Sequence, residues 1–224
     1  MKIKTAELSR SFHVGSSEIE AVRAVNLEIN DPKFVAIVGP SGSGKSTLLN
    51  LIGLNDYPTS GRLLINDADA SRLTSRERRA IRNTKMGFVF QTFNLFPTLS
   101  AIENVELPMS LAKKSQEEQS ERASKLLDMV GLAHRSNHRP KQLSMGEMQR
   151  VAVARAVANR PEIIIADEPT GELDSKTGKE IISLLQDINR SQKTTVVVAT
   201  HDEKIVEAAD IVHTMQDGQL KAKS

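Results

Sequence analysis

The 224-residue sequence predicts an α/β fold: a mainly parallel sheet with crossover helices, an antiparallel β lobe before it and an inserted helical lobe. Three observations carry the prediction. Residues 33–39, 86–90, 162–167 and 194–200 are short, continuous apolar runs, which suit strands covered on both faces in a parallel sheet. Residues 2–12 (KIKTAELSRSF) and 19–29 (IEAVRAVNLEI) are alternating, β-branched segments that read as antiparallel strands. Residues from about 100 to 138 are polar and helix-rich, with SQEEQSERASKLLDMVGL as the clearest amphipathic helix.

With 39% hydrophobic and 26% charged residues, the chain can bury an ordinary core as a single domain, 1–224, carrying that lobe. The net charge of +2 is too small to argue for a nucleic-acid or membrane surface. Arg62, Arg72, Arg76, Arg78, Arg79, Arg82 and Lys85 make one region locally basic, which reads as a solvated face. The absence of cysteine excludes disulfides and thiolate metal sites and fits a reducing compartment. No apolar run approaches the roughly 20 residues that span a bilayer, and MKIKTAELSR lacks the apolar core of a signal peptide. Any membrane role is therefore expected to run through a partner.

The first apolar run leads into GPSGSGKST: Gly39, Pro40, Ser41, Gly42, Ser43, Gly44, Lys45, Ser46 and Thr47. KSTLLNLIGL then places apolar residues at helical spacing, so the order is strand, glycine-rich loop, helix. Gly39, Gly44, Lys45 and Ser46 have phosphate-loop spacing. Glycines let successive backbone N–H groups turn toward a β-phosphate, and the new helix adds its positive end. Lys45 is expected to reach the β- and γ-phosphates, and the Ser46 hydroxyl to ligate Mg²⁺. The run ending in Asp167 puts a carboxylate at the sheet's C-terminal edge, where that metal would lie. Glu168, one residue beyond, is placed to polarise a water attacking the γ-phosphate.

These motifs stand in one order with KQLSMGEMQRVAVARA (141–156), GELD (171–174) and VVVATHDE (196–203). From about residue 3 to 220 the chain resembles the nucleotide-binding subunit of an ATP-binding cassette (ABC) transporter. The resemblance implies a P-loop NTPase with a RecA-like core that uses ATP and Mg²⁺. Phe12 occupies the position where the family stacks an aromatic ring on adenine. Gln91 matches the glutamine that touches Mg²⁺ and reports nucleotide state to a membrane partner. Asp174 belongs to the loop that meets its twin across a dimer, and His201 matches the switch histidine that contacts the γ-phosphate. The resemblance further implies a homodimer closed head-to-tail around two ATP molecules. Ser144, Gly146 and Glu147 would then act in trans, on nucleotide held by the partner's phosphate loop.

Met145 departs from the family pattern by replacing the first glycine of this signature loop, and Glu147 stands where glutamine is common. A methionine is accommodated where φ is negative; where φ is positive it costs roughly 1–2 kcal/mol. QTFNLFPTLSAIENVELPM (91–109) with DEPTGELDSKTGKEI (167–181) is similar to the subfamily serving lipoprotein-releasing, macrolide-export and antimicrobial-peptide-type transporters and the cell-division pair of the same build. Without membrane helices of its own, the chain would be the separate subunit, cytoplasmic and held on the membrane by an integral-membrane permease. No nucleic-acid partner is expected. Two other readings stand beside this one: a regulatory ATP-binding subunit with little hydrolysis, suggested by Met145, and a soluble clamp not linked to a membrane. Known clamps carry a long coiled coil or join two cassettes, and this sequence has neither. His134 and His138 are four apart, but Pro140 follows and no cysteine is near, which argues against a metal pair.

Overall fold

The computed structural model describes residues 1–15, 17–30 and 32–221. Its strands are β1 (Ile3–Val14), β2 (Ser17–Val25), β3 (Glu28–Ile29), β4 (Phe34–Val38), β5 (Ser60–Ile65), β6 (Ala68–Asp69), β7 (Met86–Phe90), β8 (Ile163–Asp167), β9 (Thr195–Thr200), β10 (Ile211–Gln216) and β11 (Gln219–Leu220). Its helices are α1 (Lys45–Ile52), α2 (Ser75–Lys85), α3 (Ala101–Leu111), α4 (Gln116–Met129), α5 (Met145–Ala156), α6 (Ser175–Gln192) and α7 (Glu203–Ala208).

The four continuous apolar runs become β4, β7, β8 and β9. They lie side by side in the order β11-β10-β4-β9-β8-β7, parallel from β10 through β7. Both faces are covered, as such runs require. Ile164 and Ala166 of β8 join Ala36, Val196 and Val198 in one core; Ile163 and Ile165 join Val35, Ile37, Val197 and Ala199 in the other. The first core is closed by α3 to α6 through Val105, Leu126, Val151, Val153 and Leu185. The second is closed by Leu48, Leu49, Leu51 and Ile52 of α1, which meet Ile3, Leu8, Val22 and Leu63 of the antiparallel sheet. The helix that follows the glycine-rich loop is thus held between two sheets.

The antiparallel sheet runs β2-β1-β5-β6, with β3 paired to the start of β1. The single alternating segment expected over 19–29 is two strands separated at Asn26 and Leu27, and within the first of them Ala24 takes a left-handed φ of 46° where the register with β1 shifts. Two hairpins were not foreseen, β5–β6 and β10–β11. Each turns on a pair with positive φ, Asn66–Asp67 (48° and 65°) and Asp217–Gly218 (49° and 81°), the backbone that a two-residue hairpin with twisted strands demands. Residues 100–138 hold α3 and α4, and their apolar faces share the core of α5 and the main sheet.

The basic region is not uniformly a solvated face. Arg78 is buried, donating to the Leu54 and Asp56 carbonyls at 3.1 and 2.6 Å with its guanidinium 3.9 Å from the Tyr57 ring centroid. Arg82 adds a bond to the Leu54 carbonyl at 2.8 Å. A helix exit cannot leave its carbonyls bare, and these two arginines satisfy the one below α1.

Four helices start with reciprocal capping boxes: Thr74 with Glu77, Ser100 with Glu103, Ser115 with Glu118 and Ser144 with Glu147. Each serine or threonine cap is a contribution of about 0.5–2 kcal/mol. At the other end of α5, Gly87 of β7 lets that helix lie directly on the sheet: a Cβ there would stand 2.4 Å from the Ala156 carbonyl oxygen. Gly87→Ala is expected to push α5 off β7 and to destabilise the fold by about 1–3 kcal/mol in urea unfolding monitored by circular dichroism.

Candidate nucleotide site

The C-terminal ends of β4, β9, β8 and β7 lie in a row, and each delivers a polar residue that the sequence singled out. Past β4 comes the glycine-rich loop, past β9 His201, at the end of β8 Asp167 and Glu168, and past β7 Gln91. Ser41, Gly42, Ser43, Gly44, Lys45, Ser46 and Thr47 line one cavity of about 650 Å³ together with Gln91, Glu168 and His201. Ala21 of β2 closes its side.

Close approach explains two glycines of the loop. A Cβ on Gly39 would fall 2.1 Å from the Met215 carbonyl oxygen. Gly44, the N-cap of α1, has φ of 102°, and a Cβ there would fall 2.1 Å from the Ala21 carbonyl oxygen. Lys45 is 7% exposed and its ammonium donates to the carbonyls of Gly39 and Pro40 at 2.8 and 3.0 Å. Three N–H donors sit on that nitrogen, so one remains to meet a ligand. The buried Ser43 hydroxyl oxygen has no hydrogen-bond partner in the protein. A buried polar atom of that kind, inside a loop whose Gly39 and Gly44 admit no Cβ, fits a phosphate cradle.

The Ser46 hydroxyl donates to Asp167 at 3.0 Å, joining the start of α1 to the end of β8. Burial pushes the Asp167 carboxyl above its usual range; the Ser46 bond opposes this, the Glu168 charge adds to it, and Lys45 opposes it. A cation between these two oxygens would reverse that penalty by favouring the charged carboxylate. The two oxygen donors suit Mg²⁺, a hard ion that takes few protein ligands beside phosphate and water. Among the described residues no group of three or more His, Asp or Glu could hold a metal by itself.

Glu168 is turned inward by a left-handed backbone, φ 45°, with its N–H bonded to the Ala199 carbonyl at 2.9 Å. Its carboxylate lies 4.0 Å from the Lys45 ammonium and 3.0 Å from His201 Nδ1. The histidine side chain itself is 74% exposed, at the cavity mouth. Gln91 donates to Glu172 at 3.0 Å. Phe12 is 37% exposed on β1 and is outside the residues lining this cavity. Its cross-strand partner Ile19 stands two residues before Ala21, which does line it.

Ser144, Gly146, Glu147 and Asp174 form a separate group. Ser144 accepts from the Glu147 N–H at 3.2 Å, and the Glu147 carboxylate accepts from the Ser144 N–H at 2.8 Å and pairs with Arg135 at 3.2 Å. The Ser144 bonds above all hold the Glu147 carboxyl below the usual carboxylate range. Gly146 packs on α6, where a Cβ would meet Thr177 Cγ2 at 2.5 Å, and Asp174 caps α6 by accepting from the Lys176 and Thr177 N–H groups at 3.0 and 3.1 Å. None of these four lines the cavity beside their own chain's glycine-rich loop. His138 is held against Arg135 at 3.1 Å, and His134 sits in a 3₁₀ turn, so the two do not share a helix face.

Sequence reasoning missed the side chains that fix these loops. Gln149 is fully buried and donates to the Pro169 carbonyl at 2.6 Å and, more weakly, to that of Phe90 at 3.4 Å. Arg155 donates to the carbonyls of Phe93 and Asn94 at 2.8 and 2.5 Å, and burial pushes it down to about 10. Arg155 is a single charge in the apolar run from Val151 to Ala156, a signal that could have found it; Gln149, between Met148 and Arg150, carries no such signal.

Met145 is the first residue of α5, has negative φ and is 52% exposed, so the strained alternative does not apply. Met145→Gly is expected to lower stability by a few tenths to about 1 kcal/mol, through the greater freedom of the unfolded chain. Calorimetric melting of the apo protein checks the sign.

Residues 22–171, more than half of the chain, match the family model described as ABC transporter. The chain is 46% identical over 219 residues to an uncharacterised ABC transporter ATP-binding protein of Thermotoga maritima, covering 98% of this chain and 93% of that protein. It is 41% identical over 221 residues to the lipoprotein-releasing system ATP-binding protein LolD of Legionella pneumophila, covering 99% and 97%. It superimposes with a TM-score of 0.92 and 45% identity on the ATP-binding cassette MJ0796 of Methanocaldococcus jannaschii, solved as a dimer in a post-hydrolysis state with ADP and Pi, over 99% of this chain and 97% of that one. Motifs, fold and relatives agree, and the chain belongs to the ABC transporter family as one of its ATP-binding ATPase cassettes.

Proposed function

We propose that this chain is the MgATP-hydrolysing subunit of an ABC transporter, closing head-to-tail with a second copy around two ATP molecules and driving a separate membrane permease. The observation that carries the reading is the convergence of Lys45, Ser46, Asp167, Glu168 and His201 at adjacent strand ends around one cavity.

In this reading the loop from Gly39 to Thr47 wraps the β-phosphate with backbone N–H groups, and the free donor of Lys45 faces the β- and γ-phosphates. Ser46 and Asp167, with Gln91 beside them, would hold Mg²⁺, which supplies charge neutralisation between the phosphates. Glu168 takes a proton from the water that attacks the γ-phosphorus, and ADP leaves as the bond to the bridging oxygen breaks. His201, at the cavity mouth beside Glu168, would turn a ring N–H to the γ-phosphate when ATP is bound.

The Ser144 geometry supports a role in trans. Its oxygen accepts the helix-capping bond, which leaves the hydroxyl proton free to donate to a phosphate oxygen of the facing subunit. The first turn of α5 adds its N-terminal dipole. Glu147 would serve by holding Ser144 in that geometry, because its carboxylate is already engaged by the Ser144 N–H and Arg135. Asp174, at the N-terminus of α6, would lie at the dimer contact.

The chain would sit on the cytoplasmic face of the membrane through its permease, and no helix among the described residues is long and apolar enough to cross a membrane. A second cavity of about 640 Å³ beside the Gln91 loop, bounded by Arg76, Arg79, Phe88, Leu111 and Arg155, supports a partner contact there. Likeness to a lipoprotein-releasing protein supports a permease of that subfamily. The regulatory alternative loses its motive, since Met145 sits unstrained in a helical turn.

Glu168→Gln is expected to bind MgATP yet hydrolyse it at least a hundredfold more slowly, and to accumulate as an ATP-bound dimer in light scattering. A variant that binds ATP at saturation and stays monomeric would refute the sandwich. Lys45→Ala is expected to lose about 1.5–3 kcal/mol of ATP affinity by calorimetry, because a charged hydrogen-bond donor is removed from a buried site. Unchanged affinity would refute the loop assignment.

A further inference from the structure

We propose that Arg10 is a positioning residue for the nucleotide base, holding the Phe12 ring at a fixed distance from the phosphate loop. The inference rests on the reading of Phe12 as the platform for adenine and goes beyond it by naming what fixes the platform. The Arg10 guanidinium carbon stands 4.6 Å from the centroid of the Phe12 ring. One ring face is thereby occupied by a cation, and a flat base is directed to the other. A cation on the far face also draws the ring's negative face toward itself, an attraction of the cation–π kind.

Arg10 is not free to wander. Its Nε donates to Asp56 at 2.8 Å, and both side chains are about three-quarters buried, with relative exposures of 25% and 26%. Asp56 is in turn tied to the end of α1: its N–H donates to the Asn50 carbonyl at 3.2 Å and its carbonyl accepts from the buried Arg78 at 2.6 Å. Thr59 completes the seam with β1, its N–H donating to the Ser9 carbonyl at 2.8 Å and its hydroxyl oxygen accepting from the Ser11 N–H at 3.0 Å.

The consequence is geometric. Helix α1 begins at Lys45 in the phosphate loop and ends beside Asp56, so one rigid element spans from the phosphate cradle to the anchor of Arg10. Phe12, by contrast, lies near the tip of the β1–β2 hairpin, where pairing to the rest of the antiparallel sheet has ended: β1 meets β5 only from Ile3 to Ser9. Without Arg10, the ring is carried by a two-stranded ribbon whose last tie to the body of the protein is the Ser11–Thr59 bond, and a two-stranded ribbon is marginal by itself. With Arg10, the base platform and the phosphate loop move as one body.

The test compares two probes in the presence of Mg²⁺, ATP and inorganic tripolyphosphate, the latter lacking the base. Arg10→Ala is expected to weaken ATP about two- to fivefold in calorimetry while leaving tripolyphosphate unchanged. Asp56→Asn should shift ATP in the same direction by less, and Arg10→Lys, which keeps a cation, should recover part of the loss. In the Phe12→Ala background, Arg10→Ala should add nothing. Equal losses on both probes would overturn the proposal, assigning Arg10 to the fold of the hairpin; so would unchanged ATP affinity in Arg10→Ala while Phe12→Ala weakens ATP selectively. If Phe12→Ala also leaves the ratio of the two affinities unchanged, the base-stacking reading itself falls, and the role of Arg10 with it.

Discussion

Burial of β8 and β9 on both faces is the constraint from which the site follows. Strands flanked by two apolar cores, with Ile164 and Ala166 facing one and Ile163 and Ile165 the other, have no lateral surface on which to display a polar side chain. Chemistry can be offered only where the strands end. Parallel pairing puts those ends on one edge, and the order β4-β9-β8-β7 spaces them about 4.8 Å apart. The glycine-rich loop, His201, the Asp167–Glu168 pair and Gln91 are neighbours because their strands are. The left-handed turn at Glu168 then rotates one carboxylate back over the cavity, a local backbone cost that the surrounding ladder, through the Ala199 carbonyl, holds in place.

Helix α5 does two jobs at its two ends. Its first turn carries the Ser144–Glu147 capping box, while Gln149 and Arg155 reach back to the loops that follow β7 and β8 in the same chain. One helix thus joins the Ser144 cap to the segment after Gln91 and to Pro169 beside Glu168 by hydrogen bonds, that of Gln149 to Pro169 being buried. These bonds cannot be given up cheaply, since a buried donor or acceptor left alone costs about 1–3 kcal/mol. Arg155 makes the point: its desolvation is offset by two backbone carbonyls at a loop with left-handed residues, Phe93 and Asn94.

Much of this was legible in the sequence because the signals were periodic or chemically specific. Continuous apolar runs gave the doubly covered strands, and glycine at Gly39 and Gly44 is demanded by carbonyls approaching within 2.1 Å of any Cβ. The hairpins β5–β6 and β10–β11 were less legible, since β6 and β11 are two residues each and their turns use Asn66, Asp67 and Asp217 with positive φ, where only one glycine marks the bend. Arg78 was illegible for another reason. A run of arginines reads as solvent-facing by composition, and which one turns inward depends on where the exit of α1 leaves its carbonyls. Gln149, Arg155 and Arg10 share that dependence: each is defined by the backbone group it meets in three dimensions.

Met145 shows how a departure from a family pattern is to be weighed. Glycine in a loop is required where φ is positive or where a neighbour excludes Cβ, and the two glycine positions of this loop differ on that criterion. At Gly146 a Cβ would stand 2.5 Å from Thr177 Cγ2, so a side chain there requires Thr177 of α6 to shift. Position 145 meets neither requirement: its backbone is helical and its side chain projects to solvent. The capping box of Ser144 with Glu147 sets the loop's geometry through the residues on either side of Met145, and those are the residues that carry hydrogen bonds. A flexible apolar side chain at the helix start therefore leaves Ser144 and Glu147 in their capping geometry and places its own bulk in solvent.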